Sequence, residues 1–214
     1  MDVRFWGTRG SLPASLNAGD VRAKIRNALK KAIEHGLGPE SDLDGFMDHH
    51  LRFSERATYG TNTSCIEIRD GDAFVLCDAG SGLREFGNHV MQLENEERPK
   101  AFHVVLSHLH WDHIQGFPFF TPALVRGNRI TFYGCHPDLE KAFAVQQSDP
   151  FFPLRFCDIG ADIRFQTLEP DREVEIAGFG VLPKEQNHPG KSFGYRFRRG
   201  GKSVIYSTDA EHKN

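Results

Sequence analysis

Four cysteines in 214 residues, none of them in a CxxC pair, leave the chain without a disulfide framework or a zinc knuckle. Cys65, Cys77, Cys135 and Cys157 read as reduced thiols, mostly buried as small core residues. Long apolar runs are also missing. No stretch approaches the roughly twenty apolar residues of a membrane span, and the start Met1-Asp2-Val3-Arg4-Phe5-Trp6 lacks the apolar core of a secretion signal. The expectation is a cytoplasmic protein with no membrane partner. Charge of one sign is scarce: 26 Lys and Arg against 29 Asp and Glu give a net charge of -3, with no global pull toward nucleic acid or anionic lipid. There is no internal repeat, low-complexity segment or linker composition. With 39% hydrophobic and 26% charged residues, the composition is that of one globular domain spanning residues 1–214.

The stretch that stands out is His108-Leu109-His110-Trp111-Asp112-His113, four metal-capable side chains in six residues. The apolar run Ala101 to Ser107 before it reads as a buried strand, and Ile114 to Pro118 after it as a brief helical turn. The cluster is thus expected in a strand-to-helix loop, where α/β folds place their chemistry. Imidazoles two residues apart in an extended loop can face one ion, so His108 and His110 pair for a first position; Asp112 and His113, adjacent at the helix entrance, point to a second.

Residues 1–6 read as a first strand closed by Gly7-Thr8-Arg9-Gly10. From Asp20 to Glu34, Val21, Ile25, Ala28, Leu29, Ala32 and Ile33 fall on one helical face, while Arg22, Lys24, Arg26, Lys30 and Lys31 populate the rest. The acidic segment from Glu40 to Asp48 follows with its own helical spacing, so residues 15–58 read as a helical insertion after the first strand. Its apolar stripe should dock against the body or a second copy of the chain, which makes it a candidate homo-oligomer surface. Ser64 to Arg69 and Ala73 to Cys77 form a hairpin across Asp70-Gly71-Asp72. Leu83 to Leu93 and Pro137 to Gln147 read as helices, the latter with Leu139, Phe143 and Val145 facing the core. Arg129 to Tyr133, Ile163 to Leu168, Glu173 to Ile176, Phe179 to Leu182, Phe193 to Phe197 and Ser203 to Ser207 read as strands. His35, His49, His50 and His89 have no partner at metal spacing and read as surface residues; His103 lies within a strand, and His136 stays undecided.

HLHWDH resembles the HxHxDH signature of the metallo-β-lactamase fold superfamily of hydrolases. Trp6-Gly7-Thr8-Arg9-Gly10-Ser11, Thr61-Asn62-Thr63-Ser64-Cys65, Cys77 to Leu83, Asn187-His188-Pro189-Gly190 and Ser207-Thr208-Asp209 follow in the order that resemblance implies, and look most like its phosphodiesterase branch, which includes tRNase Z-like and cyclic-phosphate phosphodiesterases. The implied fold is an α/β class αββα sandwich. The resemblance makes His188 the third ligand of the first ion with His108 and His110, Asp209 the carboxylate that bridges to a second ion held with Asp112 and His113, and Asp78 a support for the metal loop. Two divalent cations are implied; imidazole and carboxylate suit zinc, and the oxygen-richer position also suits manganese or iron. Three histidines leave an open coordination position, the mark of a catalytic site.

Two cations roughly 3.5–4 Å apart share a water and bring its pKa toward about 7, so that a bridging hydroxide attacks phosphorus while the cations clamp the phosphoryl oxygens. The leaving oxygen takes a proton from an acid such as an Asp112-linked water or His212, three residues past Asp209. The resemblance, together with the near-neutral charge of the chain, implies a small cyclic or bis-phosphate substrate rather than a long nucleic acid. The alternatives are a tRNase Z type nuclease using the basic helix from Arg22 to Lys31, a thioester or lactam hydrolase on the same fold, and a non-catalytic metal-binding module. In relatives of this type a further strand and a final histidine follow the bridging Asp. The chain stops five residues after Asp209, so the second half of the sandwich is expected to be truncated and the carboxyl-terminal part of the fold missing.

Overall fold

The computed structural model describes residues 1–58 and 60–211. The chain forms two compact units, one from residues 1–12 and 62 onward, the other from residues 13–61. The first unit is built on two sheets. β1 (Asp2–Gly7), β2 (Cys65–Asp70) and β3 (Ala73–Cys77) run antiparallel, and β2 and β3 meet in a tight turn where Gly71 takes a φ of +63°. A hairpin turn of this length needs positive φ, which glycine adopts without steric cost. β4 (Ala101–Val105), β5 (Arg129–Gly134) and β6 (Asp162–Thr167) then continue the same sheet in parallel. Parallel neighbours require crossovers. These are α4 (Gly82–Gln92), the histidine-rich loop with α5 (Trp111–Ile114) and two 3-10 turns, and α6 (Leu139–Gln146). The second sheet is antiparallel in the order β10-β9-β8-β7, from β7 (Val174–Ile176), β8 (Phe179–Gln186), β9 (Ser192–Arg199) and β10 (Lys202–Tyr206).

The period-two alternation of a strand explains how these pieces stack. In β3, Phe74 and Leu76 face the helices, while Val75 and Cys77 face the second sheet. On the helix side Phe86, Phe102, Phe117, Phe120, Phe132 and Phe143 are all fully buried. Phe132 and Phe143 lie with ring centroids 4.3 Å apart. Between the sheets, Ile68, Val75, Cys77 and Val105 pack against Phe179, Val181, Tyr195 and Phe197. The layers are therefore helix, sheet and sheet, the first three of an αββα sandwich. Among the described residues no helix follows β6. None of the described helices is long and apolar enough to cross a membrane.

Several boundaries differ from the sequence reading. The helical turn after the histidine-rich loop begins at Trp111 rather than Ile114, because His110 takes extended backbone at its amino end and the turn closes by Gln115 N–H donating to Trp111 O. Asp112 and His113 therefore sit within a helical turn. Val145 is exposed while Leu139 and Phe143 are buried, because α6 presents only the side of Leu139 and Phe143 to the core. β8 runs on to Gln186, four residues beyond the apolar run, because it pairs with β9 along its whole length.

The second unit holds α1 (Ala18–Glu34), α2 (Leu43–His50) and α3 (Phe53–Arg56). A reciprocal capping box between Asn17 and Asp20 starts α1. Its polar side binds α3: Lys24 donates to the carbonyls of Ser54 and Ala57, and Lys31 pairs with Glu55 at 2.6 Å. Phe46 of α2 is buried under His35 and His50, its ring 5.6 and 5.5 Å from theirs. The apolar stripe of α1 is turned outward, with Val21, Ile25, Leu29 and Ile33 between 43% and 80% exposed. Sequence periodicity points to burial of this stripe, yet the side that carries Lys24 and Lys31 is the one engaged with α3.

Gly116 locks the histidine-rich loop to the turn after β3: its N–H donates to Ala79 O at 2.9 Å, and a Cβ there would fall 1.9 Å from Gly80 O. Gly116→Ala is expected to cost about 1–3 kcal/mol of stability in denaturant unfolding, as overpacking of a rigid backbone does. Gly10→Ala, where a Cβ meets nothing within 4 Å, should leave the midpoint unchanged.

Candidate metal centre

Asp78 follows directly on β3 and holds a left-handed φ of +62°, an uncommon conformation for a residue with a side chain. Its N–H donates to Val105 O, so the end of β3 is tied to the end of β4. Ser107, two residues past β4, donates its N–H to Asp78 Oδ1 at 2.7 Å and its hydroxyl to Oδ2 at 2.8 Å. His113 Nδ1 lies 2.6 Å from the same Oδ2. A carboxylate only accepts, so His113 carries its proton on Nδ1. The Ser107 hydroxyl, its hydrogen already committed to Asp78, accepts from His108 Nδ1 at 3.0 Å. One buried carboxylate thus sets both imidazoles to the same tautomer, with each Nε2 left as a bare acceptor.

Those two Nε2 atoms are buried and have no hydrogen-bond partner. Native interiors rarely leave such atoms unmatched. The donor chemistry around them is that of a divalent cation. Ligand atoms of His108, His110 and His188 lie within 4.8 Å of one another, and so do those of His108, His113 and Asp209. The His108 ring centroid is 4.1 Å from that of His113, 4.5 Å from His110 and 5.0 Å from His188. His113 Nε2 is 3.7 Å from Asp209 Oδ1 and 3.4 Å from Asp112 Oδ2. These residues fit one or two transition-metal ions of the zinc type.

For His108 the electrostatics agree with a ligand role. Burial, reinforced by the neighbouring His113, drives the His108 pKa down to about 4, so its ring is neutral near pH 7. For His113, burial favours the neutral ring, but the hydrogen bond and charge of Asp78, with Asp112 and Asp209, outweigh it and raise the pKa.

The structure draws His108, His110, His113, His188 and Asp209 together. Asp112 stands outside both three-residue groups, although the sequence pairs it with His113. Its Oδ2 accepts the N–H of Ser11 at 2.7 Å, which holds it beside the cluster. His212 lies outside the described residues. His103 binds the hydroxyl of Tyr133 at 2.9 Å. His136 is buried beside Phe193, ring centroids 5.2 Å apart. His89, read as a surface residue, is half-buried and packs on Trp6 at 5.3 Å because α4 lies against β1. Ser107, Ser64, Tyr206 and Ser11 carry no metal-ligand signature and escape a sequence reading. Ser107 alone offers a hint, as the polar residue that ends an apolar strand just before the first histidine.

The loops carrying the distal donors are cross-tied. Phe193 N–H donates to Ser107 O at 2.9 Å, and Glu211 N–H donates to Asn187 O at 2.6 Å. Gly190 brings the His188 loop onto the first histidines: a Cβ there would sit 3.5 Å from His110 Nε2, and its φ is +80°.

A family model described as the beta-lactamase superfamily domain matches residues 74–213. No curated protein matches the chain. Among solved structures, the metallo-beta-lactamase fold protein YhfI from Bacillus subtilis is 21% identical with a TM-score of 0.53, over 73% of this chain and 58% of that one. The short form of human tRNase Z is 19% identical with a TM-score of 0.50, over 96% of this chain and 68% of that one. At these identities the likeness is one of fold, and the chain spans less than two thirds of the length of YhfI.

His108 belongs to both donor groups, whereas His188 belongs to one. His108→Ala should therefore weaken binding at both donor groups, and His188→Ala at one of them alone. Elemental analysis after dialysis checks this. Equal residual metal in the two variants would contradict it.

Proposed function

Starting from the fact that this chain belongs to the beta-lactamase superfamily, whose members are generally hydrolases, we propose that it is a metal-dependent phosphodiesterase acting on a small cyclic or bis-phosphate substrate. The observation that carries this reading is the pair of donor groups that share His108. His108, His110 and His188 would hold one divalent ion, and His113, Asp209 and Asp112 a second. Bound there, such ions supply Lewis acidity to a water and to the phosphoryl oxygens, the usual logic of two-metal phosphoryl chemistry. The chain's own groups do the positioning. Asp78 presents both Nε2 atoms through Ser107 and directly. Asp112, fixed by the Ser11 N–H, would orient a linked water that protonates the leaving oxygen. His212 is the second candidate for proton transfer, to the leaving oxygen.

Two features support a small anionic substrate. A cleft of about 660 Å³ lined by Leu109, Trp111, Lys141 and Phe151 opens beside the histidine-rich loop, large enough for the organic part of a small molecule. Lys191, three residues after His188, is exposed and holds a φ of +65°. For a lysine that conformation costs on the order of 1–2 kcal/mol. We assign its ammonium to the phosphate.

The second reading is a nuclease of the tRNase Z type. It is favoured by Arg22, Arg26 and Lys30 in a row along the apolar stripe of α1 and by the likeness of fold to human tRNase Z. A panel of a cyclic nucleotide, a bis-phosphate ester, a structured RNA, a thioester and a β-lactam, assayed with added zinc or manganese, separates the possibilities. Turnover of the small phosphodiesters is expected. RNA cleavage with steep salt dependence and no turnover of the small esters would favour the nuclease.

Lys191→Gly should relieve the backbone and hold or raise the unfolding midpoint. It should also raise KM for the phosphodiester about tenfold, roughly the value of one charge-assisted hydrogen bond. An unchanged KM would remove the lysine from recognition.

A further inference from the structure

Tyr206 closes β10, three residues before Asp209, and belongs to the second sheet. Its phenol leaves that sheet. The hydroxyl donates to Asp78 Oδ2 at 2.5 Å and lies 2.7 Å from Ser64 Oγ, both residues of the first sheet's strand ends. The phenol is buried, and burial together with the charge of Asp78 raises its pKa well above the usual value, so it remains a donor. Asp78 Oδ2 therefore receives Tyr206 and His113 on the same oxygen.

We infer that Tyr206 is a positioning residue: its hydroxyl holds the Asp209-bearing end of β10 in register with His113, so that the donors of the second cation converge. This rests on the two-cation reading above. The need for such a tie follows from the topology. Among the described residues β10 is an edge strand that pairs with β9, and Ile205 beside Tyr206 is 70% exposed. Ends of edge strands with little burial open readily. Beyond Tyr206, three other hydrogen bonds tie the segment: Gln186 Nε2 donates to Ser207 Oγ at 2.5 Å, Glu211 N–H donates to Asn187 O, and Asn187 Nδ2 donates to Glu211 O at 3.3 Å. All three lead to the loop of His188, hence to the first donor group. Tyr206 provides the tie that leads to Asp78 and His113. Loss of its hydroxyl should thus loosen Asp209 from His113 and leave His108, His110 and His188 in place.

The test compares Tyr206→Phe with Tyr195→Phe in the full chain. Tyr195 is also a buried phenol of the second sheet that reaches the first, but its hydroxyl donates to Leu106 O at 2.7 Å rather than to Asp78. Zinc is titrated into each apoprotein against a chromophoric chelator, and thermal unfolding is recorded alongside. The wild type is expected to bind two equivalents. In Tyr206→Phe the weaker equivalent should lose about 10–100-fold in affinity, the usual effect of removing a group that orients a ligand, with the tighter one held within about threefold. Tyr195→Phe should lower the unfolding temperature comparably and keep both equivalents. Unchanged zinc binding in Tyr206→Phe would overturn the inference alone, and so would equal weakening in both variants, which would make the phenol merely structural. A wild type that binds one equivalent would overturn the two-cation reading and this inference with it.

Discussion

A single buried carboxylate, Asp78, organises the centre. It accepts from the Ser107 N–H and hydroxyl, from His113 and from Tyr206, four hydrogen bonds on two oxygens within 2.5–2.8 Å. A buried negative charge is tolerated only when its desolvation is offset in this way. The same four bonds make it useful. They fix the tautomer of His113 directly and that of His108 through Ser107, and they leave both Nε2 atoms facing the space where the other donors arrive. The left-handed backbone at Asp78 is the conformation that brings its carboxylate back over the ends of β3 and β4.

The fold delivers the remaining donors to that point. β3 and β4 run parallel, so their carboxyl ends lie side by side and the loops after them meet at one edge of the sheet. The second sheet packs across the first with its β8–β9 and post-β10 loops at the same edge, bringing His188 and Asp209. The chemistry therefore sits on the seam between the sheets. The unmatched Nε2 atoms, with His110, His188 and Asp209 brought close to them, make up donor groups that could hold a cation.

The helical unit of residues 13–61 contributes a different surface. Its longest helix turns Val21, Ile25, Leu29 and Ile33 outward, with Arg22, Arg26 and Lys30 alongside. This helix forms because its caps and spacing are strong, independent of what covers the stripe.

Local pattern determined a good deal. The strand feeding the histidine-rich loop, the hairpin at Gly71, the helix from Ala18 and the cluster from His108 to His113 all rest on interactions within a few residues: alternation, turn chemistry, capping and metal-ligand spacing. The resemblance carried by HLHWDH and its companion motifs extended this to His188, Asp209 and the layered α/β fold. Only the tertiary structure decided the rest. Ser107, Ser64, Tyr206 and Ser11 act through partners up to 142 residues away, and no local periodicity encodes such a pairing. The grouping of His113 and Asp209 with His108, and the engagement of Asp112 by a backbone N–H from the first loop, depend on how the two sheets and the amino-terminal loop converge. The outward turn of the α1 stripe was likewise beyond periodicity, which marks one side of a helix as apolar without saying which side the neighbouring chain will hold.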